Sequence, residues 1–322
     1  MDTPPSEKVG EDRPQAGEAD GSVCPTADAH VHFFSRRFFD ALAAQSGKTA
    51  GQVAETLGWI LPTEDPAELA RQWAAELDRY GVARSALIAS VPGDEASVAA
   101  ALAACPGRFF GYFMFNPLEP DAAGRARAAF ASGLQVVCLF PAMHRYSMHD
   151  PRVEAVLEEA ASGPHRAVFV HCGVLTVGVR KKLGLASPFD MRFSNPLDLH
   201  AIALRHPKLP FIVPHFGAGL FREALMLADL CPNVYLDTSS TNSWMRYEGL
   251  DLKTVFRRAL AVAGPGRLLF GTDSSFFPRG WNRGVFEDQS RVLAALDLSG
   301  SDVRLILGEN LEKILGAAAL SK

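Results

Sequence analysis

Eight short apolar runs punctuate the chain, at 27–34, 85–91, 108–115, 134–140, 167–171, 211–215, 234–237 and 267–272. Each is four to eight residues long and rich in Val, Ile, Leu and Phe. None alternates cleanly between apolar and polar positions, as a half-exposed strand would. Continuous apolar runs of this length predict strands buried on both faces. Between them lie segments with helical spacing and clear punctuation. In DPAELARQWAAELDRYG, Asp65 is placed to cap, Pro66 takes the first helical position and Gly81 ends the helix. DEASVAAALAACPG, DAAGRARAAFASG and DPRVEAVLEEAASG follow the same plan, as do NPLDLHAIALRHP, FREALMLADLCP, DLKTVFRRALAVAGPG and the stretch from 287 to 296. SDVRLILGENLEKILG predicts one or two closing helices.

A β–α alternation repeated eight times predicts a parallel sheet with right-handed crossovers. Eight units predict closure into a (β/α)8 TIM barrel, an α/β fold that takes roughly 250 residues. The competing arrangement is an open doubly wound sheet. No GxGxxG follows the first run to support it. One connection is unusually long: residues 35–62 separate the first strand from its helix and carry Phe38, Phe39, Leu42, Val53, Leu57, Trp59 and Ile60. In a barrel it lies over the C-terminal mouth, as a lid or as a small packing helix.

Composition changes this picture only at the edges. Hydrophobic content of 48% and charged content of 21% suit a globular domain with a sizeable core. Residues 1–22 hold six acidic and two basic side chains among Pro, Gly and Ser, which predicts a disordered acidic tail before a barrel domain at 23–322. Net charge is −4 with no basic run, which argues against a nucleic-acid partner. No apolar stretch approaches the ~20 residues that span a bilayer, and the N-terminus lacks the apolar segment of a secretory signal. Five cysteines, at 24, 105, 138, 172 and 231, show no CxxC spacing. That pattern suits reduced thiols and a cytoplasmic location. The oligomeric state, homo-oligomer included, is left open.

The polar residues then fall in a telling order. The first run contains His30-Val-His32, within DAHVHFF. In an extended strand residues i and i+2 share a face, so both imidazoles project together. Alone they are as well explained as two polar residues on a solvated face. However, the fifth run, AVFVH, ends at His171, the sixth, FIVPH, at His215, and the eighth, LLFGTD, at Asp273. In a (β/α)8 barrel strand C-terminal ends converge on one mouth. Four imidazoles and a carboxylate converging there are hard to satisfy pairwise without a cation. Nitrogen-rich ligation with one carboxylate suits a divalent metal ion, zinc first, with iron, cobalt and manganese as alternatives.

These motifs resemble the amidohydrolase superfamily. More narrowly, DAHVHFF, VFVHCG, PFIVPHFG, VYLDTSS, LLFGTDSSFF and the closing ILGENLEKILG resemble the amidohydrolase-related branch that includes aminocarboxymuconate semialdehyde decarboxylase. The likeness covers residues 24 to about 316. It implies that His30, His32 and His171 are metal ligands, and that Asp273 is a ligand or adjacent proton carrier. It implies that His215 is an acid–base group or carbonyl polariser beside the metal. Many binuclear relatives bridge two metals with a carboxylated lysine on the fourth strand. Here that strand reads LQVVCLFP, without lysine, so one metal ion is expected. Cys138 within it is expected to be core.

A metal ion lowers the pKa of water from 15.7 toward ~7. Asp273 and His215 can then take and hand on its proton. The expected activity is a metal-dependent hydrolase acting on a small, carboxylate-bearing ester, lactone or amide. The alternative is a non-oxidative decarboxylase, a carboxy-lyase, of a small unsaturated or aromatic acid. For the carboxylate, Arg180 and Arg192 follow the fifth strand and Arg279 the eighth, and Arg279 is preferred because it lies six residues after Asp273. Trp281, with Trp244 and Phe33, is placed to wall the pocket. Asp237 is placed to orient a ligand. His144, just past the fourth strand in FPAMHRYSMHD, is placed either to touch substrate or to make a hydrogen bond within its loop, and the loop role is expected. His165, His200 and His206 lie away from strand ends and receive no role. Ser239 and Ser240 are not in a GxSxG elbow, which disfavours a serine hydrolase.

Overall fold

The computed structural model describes residues 25, 27–239 and 243–316. The acidic stretch 1–22 lies outside the described residues. Eight parallel strands form the sheet. β1 is interrupted, with parts Ala27–Asp28 and His32–Phe33. There follow β2 (Arg84–Ala89), β3 (Phe109–Phe115), β4 (Val136–Leu139), β5 (Ala167–Val170), β6 (Phe211–Val213), β7 (Val234–Asp237) and β8 (Leu268–Leu269). Each pairs with the next in chain order. The runs carry no polar alternation because both faces of each strand are covered. In β3, Phe110, Tyr112 and Met114 fill the barrel interior, while Phe109, Phe113 and Phe115 pack under the helices. Cys138 packs in the same interior.

Three backbone hydrogen bonds close the ring between β1 and the chain beyond β8. Ala29 N–H donates to Phe270 O at 2.8 Å, Asp273 N–H to His30 O at 3.0 Å and His32 N–H to Ser274 O at 2.7 Å. The sheet is therefore a (β/α)8 barrel. β8 is shorter than the run at 267–272 because residues 270–274 leave β7 to meet β1. β1 is interrupted because the Asp28 carboxylate takes the N–H of His30 at 2.9 Å, a local turn that competes with the ladder. The same carboxylate accepts from Thr272 N–H at 3.1 Å, Thr272 Oγ1–H at 2.6 Å and Trp281 Nε1–H at 2.8 Å. Asp28 is fully buried, and burial outweighs these four donors, holding its carboxyl up at about 6.

The helices follow the capping residues. Asp65 accepts from Ala67 N–H and Pro66 opens the helix Pro66–Arg79. Asp150 and Pro151 do the same for Pro151–Ala161. The closing segment folds into Gly300–Arg304, a wide turn at Leu305–Glu309, and Asn310–Leu315. Leu311, Ile314 and Leu315 join the cluster that holds Ala27 and Ala167, the first residues of β1 and β5, and so plug the N-terminal end of the barrel. The long connection after β1 forms two helices, Arg36–Ser46 and Ala50–Leu57. Gly47 and Gly58 end them at positive φ, where a side chain would be strained. Phe39, Leu42, Val53 and Leu57 make a separate apolar cluster with Val179 and Leu183 from the loop after β5. The segment is thus a packed helical layer over the C-terminal mouth. Among the described residues no helix is long and apolar enough to cross a membrane.

Trp281 does not wall a pocket. It is 2% exposed, and its indole is spent on Asp28. Phe33 likewise points into the outer core. Replacing Trp281 by Phe keeps the ring but leaves a buried carboxylate one donor short. A loss of about 1–3 kcal/mol is expected in urea unfolding; an unchanged midpoint would show that the Asp28 knot does not hold the barrel closed.

Candidate active site

The C-terminal mouth opens into a cavity of about 800 Å³. His30, His32, His171, His215 and Asp273 all line it. His30 and His32 come from β1, with ring centroids 5.2 Å apart, and Val31 between them is buried on the other side. His171 follows β5. His215 does not end a strand: β6 stops at Val213, and Pro214–Gly217 is a tight turn with His215 at φ 55° and Phe216 at φ 53°. The turn brings the His215 ring to 5.0 Å from His30 and 5.3 Å from His171. Asp273 also sits in the left-handed region, at φ 56°. Such backbone is uncommon for residues with side chains and is held here by its surroundings.

Hydrogen bonds decide which nitrogen of each ring is free. His30 Nδ1–H donates to Asp237 Oδ2 at 2.6 Å, and Asp237 is fully buried. Ser90 Oγ–H donates to Ile88 O at 2.8 Å, so its oxygen accepts from His32 Nδ1–H at 2.8 Å. His215 Nδ1–H meets the carbonyl of Ser239 at 3.2 Å and its Oγ at 3.0 Å. In all three rings Nδ1 is thereby engaged as a donor, and Nε2 is the nitrogen left for a ligand. The Asp273 carboxylate lies 3.3 Å from His32 Nε2 and 3.7 Å from His30 Nε2. Ligand atoms of His30, His32 and Asp273 all fall within 4.8 Å of one another, a group that could hold a metal ion. His171 stands outside that group of three. It packs against Phe140, ring centroids 5.5 Å apart, and its buried Nδ1 has no partner.

Electrostatics fit a cation. Burial pulls His30 down, but Asp237, by charge and hydrogen bond, and then Asp273 and Asp28 reverse this and hold it at about 9. Burial would raise the Asp273 carboxyl. The imidazoles of His32, His30 and His215 around it nevertheless hold it well below the usual carboxylate range. His171 is pushed well below its ordinary value by burial and then by His215 and His30. Burial also lowers His32 and His215. These carboxylates draw positive charge to a place where burial keeps the other imidazoles neutral. Neutral imidazoles with free Nε2, a carboxylate and an orphaned buried nitrogen are the donor set a divalent ion takes.

Of the three arginines, Arg279 and Arg180 line the cavity and Arg192 does not. Arg192 points out, paired with Asp190. Arg279 lies over Phe276, 4.6 Å from the ring centroid, and donates to Asp273 O at 3.1 Å and Ser275 Oγ at 3.0 Å. Arg180 donates to Ala186 O and to Gln45 Oε1. Both guanidiniums are held by neutral acceptors. Trp244 lines the cavity, as do Arg246 and Lys182. Sequence reasoning missed Ser90 and Ser239, which touch the imidazoles. Ser90 stood in the run 85–91 at the end of a strand, and the rule applied to the histidines would have found it. His144 makes no hydrogen bond within its loop through its ring, contrary to expectation, and lines the cavity.

The Asp237 carboxylate fixes the His30 tautomer. Asp237→Ala is expected to lower zinc affinity about 10–100-fold in competition with a chelator; an unchanged affinity would remove His30 from the ligand set.

Comparison with known proteins bears on the family and the fold. The protein fluG of Emericella nidulans is 33% identical over 85 residues, which make 26% of this chain and 10% of that protein. The chain thus matches about a tenth of that relative's length. Among solved structures, a probable 2-pyrone-4,6-dicarboxylic acid hydrolase of Acinetobacter baumannii, with citric acid bound, superposes with a TM-score of 0.57 at 14% identity, over 91% of this chain and 99% of that one. An amidohydrolase of Burkholderia multivorans with bound zinc gives 0.55 at 18% identity, over 91% and 100%. At these identities the structures share the fold. Residues 27–317, nearly the whole described chain, match the family model for amidohydrolases, and the chain belongs to that family.

Proposed function

We propose that the chain is a hydrolase that holds one divalent metal ion, zinc before iron, cobalt or manganese, and acts on a small carboxylate-bearing ester, lactone or amide. The observation that carries this reading is the convergence of His30, His32 and Asp273, whose ligand atoms lie within 4.8 Å of one another, with both histidines tied at Nδ1. His171, which lines the same cavity with its ring 5.3 Å from that of His215, is the further ligand. Family membership supports an enzyme with a small-molecule substrate, and about 800 Å³ suits such a molecule. A divalent ion bound there would supply charge that lowers the pKa of water toward ~7 and polarises a carbonyl. Asp273, kept ionised by its imidazole neighbours, accepts the proton of the attacking water. His215, neutral and with Nε2 free, is the second proton carrier on the opposite flank of His30. Arg279, anchored beside Asp273 and without a carboxylate ion pair among the described residues, binds the substrate carboxylate. Arg180 adds a second cation after β5. The zinc in one fold relative and the citric acid in another support a metal and a carboxylate ligand here.

Metal analysis of the wild type and of a His30→Ala, His32→Ala double variant tests this. About one ion per chain is expected in the first and none in the second. A screen of lactones, amides and unsaturated acids then follows product chemistry. Hydrolysis takes up water; CO2 release without net water uptake would replace hydrolase by carboxy-lyase. A metal-free wild type after reloading, with an equally stable double variant, would make the histidines structural and end the proposal.

A further inference from the structure

We propose that His144 is a substrate-contacting residue that donates a hydrogen bond, through Nε2–H of a neutral imidazole, to an uncharged carbonyl or ring oxygen of the substrate. This rests on the reading of the cavity as a hydrolase site and specifies what its β4 side recognises.

His144 ends the one-turn helix Pro141–His144 and lines the cavity. Its N–H donates to Phe140 O at 3.0 Å, which places residues 140 and 144 on one face of the turn. Phe140 stacks on His171, so that face is docked against the site. The turn is pinned. Asp190 N–H donates to Ala142 O at 2.9 Å, and Arg145 follows at φ 59°, a left-handed conformation. In a ring of eight strands β4 and β8 stand opposite each other. His144, after β4, and Arg279, after β8, therefore flank the mouth on opposite sides.

Among the described residues neither ring nitrogen of His144 has a hydrogen-bond partner. Nδ1 is sealed in protein, and Nε2 is the nitrogen left to the cavity. A sealed N–H without an acceptor is rarer and more costly than a sealed lone pair. The neutral ring therefore carries its proton on Nε2. Protonating the ring would put an N–H into the sealed side, and burial accordingly lowers the imidazole to about 4, opposed only by Glu119. His144 is thus a fixed donor at neutral pH and takes no proton from water. Arg279 and His144 read different ends of one molecule: a carboxylate at one side, an uncharged oxygen at the other.

Isothermal titration of the metal-loaded full chain tests this with two probes. Coumalate is a six-membered lactone with one carboxylate; benzoate keeps the ring and the carboxylate without the lactone oxygens. Wild type is expected to prefer coumalate ~10-fold, the scale of one hydrogen bond. His144→Phe is expected to lose the preference while benzoate affinity, metal content and thermal midpoint stay. His144→Gln, which keeps a neutral N–H donor, is expected to retain most of it. No preference in the wild type, or a preference that survives in His144→Phe, overturns the proposal. Nitrogen-15 NMR of the histidine rings tests it without a ligand. The signal lost in His144→Gln should report a neutral Nε2–H ring across roughly pH 5.5–8. An Nδ1–H tautomer, or titration within that window, overturns it. A wild type without metal contradicts the hydrolase reading alone and leaves the NMR result to decide His144.

Discussion

The hydrogen bond from Asp273 N–H to His30 O, with its neighbours at Ala29 and His32, closes the barrel and seats the Asp273 carboxylate in one act. Without it β8 would be an exposed sheet edge, and Asp273 would have no fixed position beside two imidazoles 243 and 241 residues earlier in the chain. The closure is local and polar. Residues 28–32 give up part of their pairing with β2 and take partners from 270–274 instead. The buried Asp28 carboxylate gathers the freed donors of His30 and Thr272, together with the Trp281 indole. Fold and site therefore depend on the same few bonds.

A second constraint acts on the rings themselves. Imidazoles this close and this buried need a use for both nitrogens. Asp237, Ser90 and Ser239 take the Nδ1 protons. The Nε2 lone pairs are then left on the cavity side, facing Asp273. An arrangement of lone pairs and a carboxylate is repulsive by itself, and a cation resolves it. The raised His30 and the depressed Asp273 express that same demand in the protein's own protons.

Much of this was legible in the sequence, for physical reasons. Apolar runs without alternation report strands covered on both faces, and their number reports the ring. Histidines at run ends report a mouth where a buried polar group needs a partner. What was not legible depended on contacts between distant positions or on small local choices. Trp281 and Asp28 are 253 residues apart, and only the folded chain shows that the indole belongs to the closure and not to the pocket. Arg192 and Arg279 look alike in sequence, but Asp190, two residues before Arg192, captures its guanidinium and turns it outward. His215 left the strand because Pro214 ended the ladder and began a left-handed turn. The segment 35–62, legible as a long connection that is a lid or a small packing helix, became two helices because its apolar residues found Val179 and Leu183 after β5.

The most direct test is X-ray absorption on the zinc-loaded chain. The structure predicts a shell of nitrogen and oxygen alone, with imidazole scattering from at least two rings and distances of about 2.0–2.2 Å. Cys138 and Cys172 are buried nearby in sequence to the site strands, so a sulfur shell near ~2.3 Å, or zinc without imidazole neighbours, would place the metal elsewhere and contradict the account.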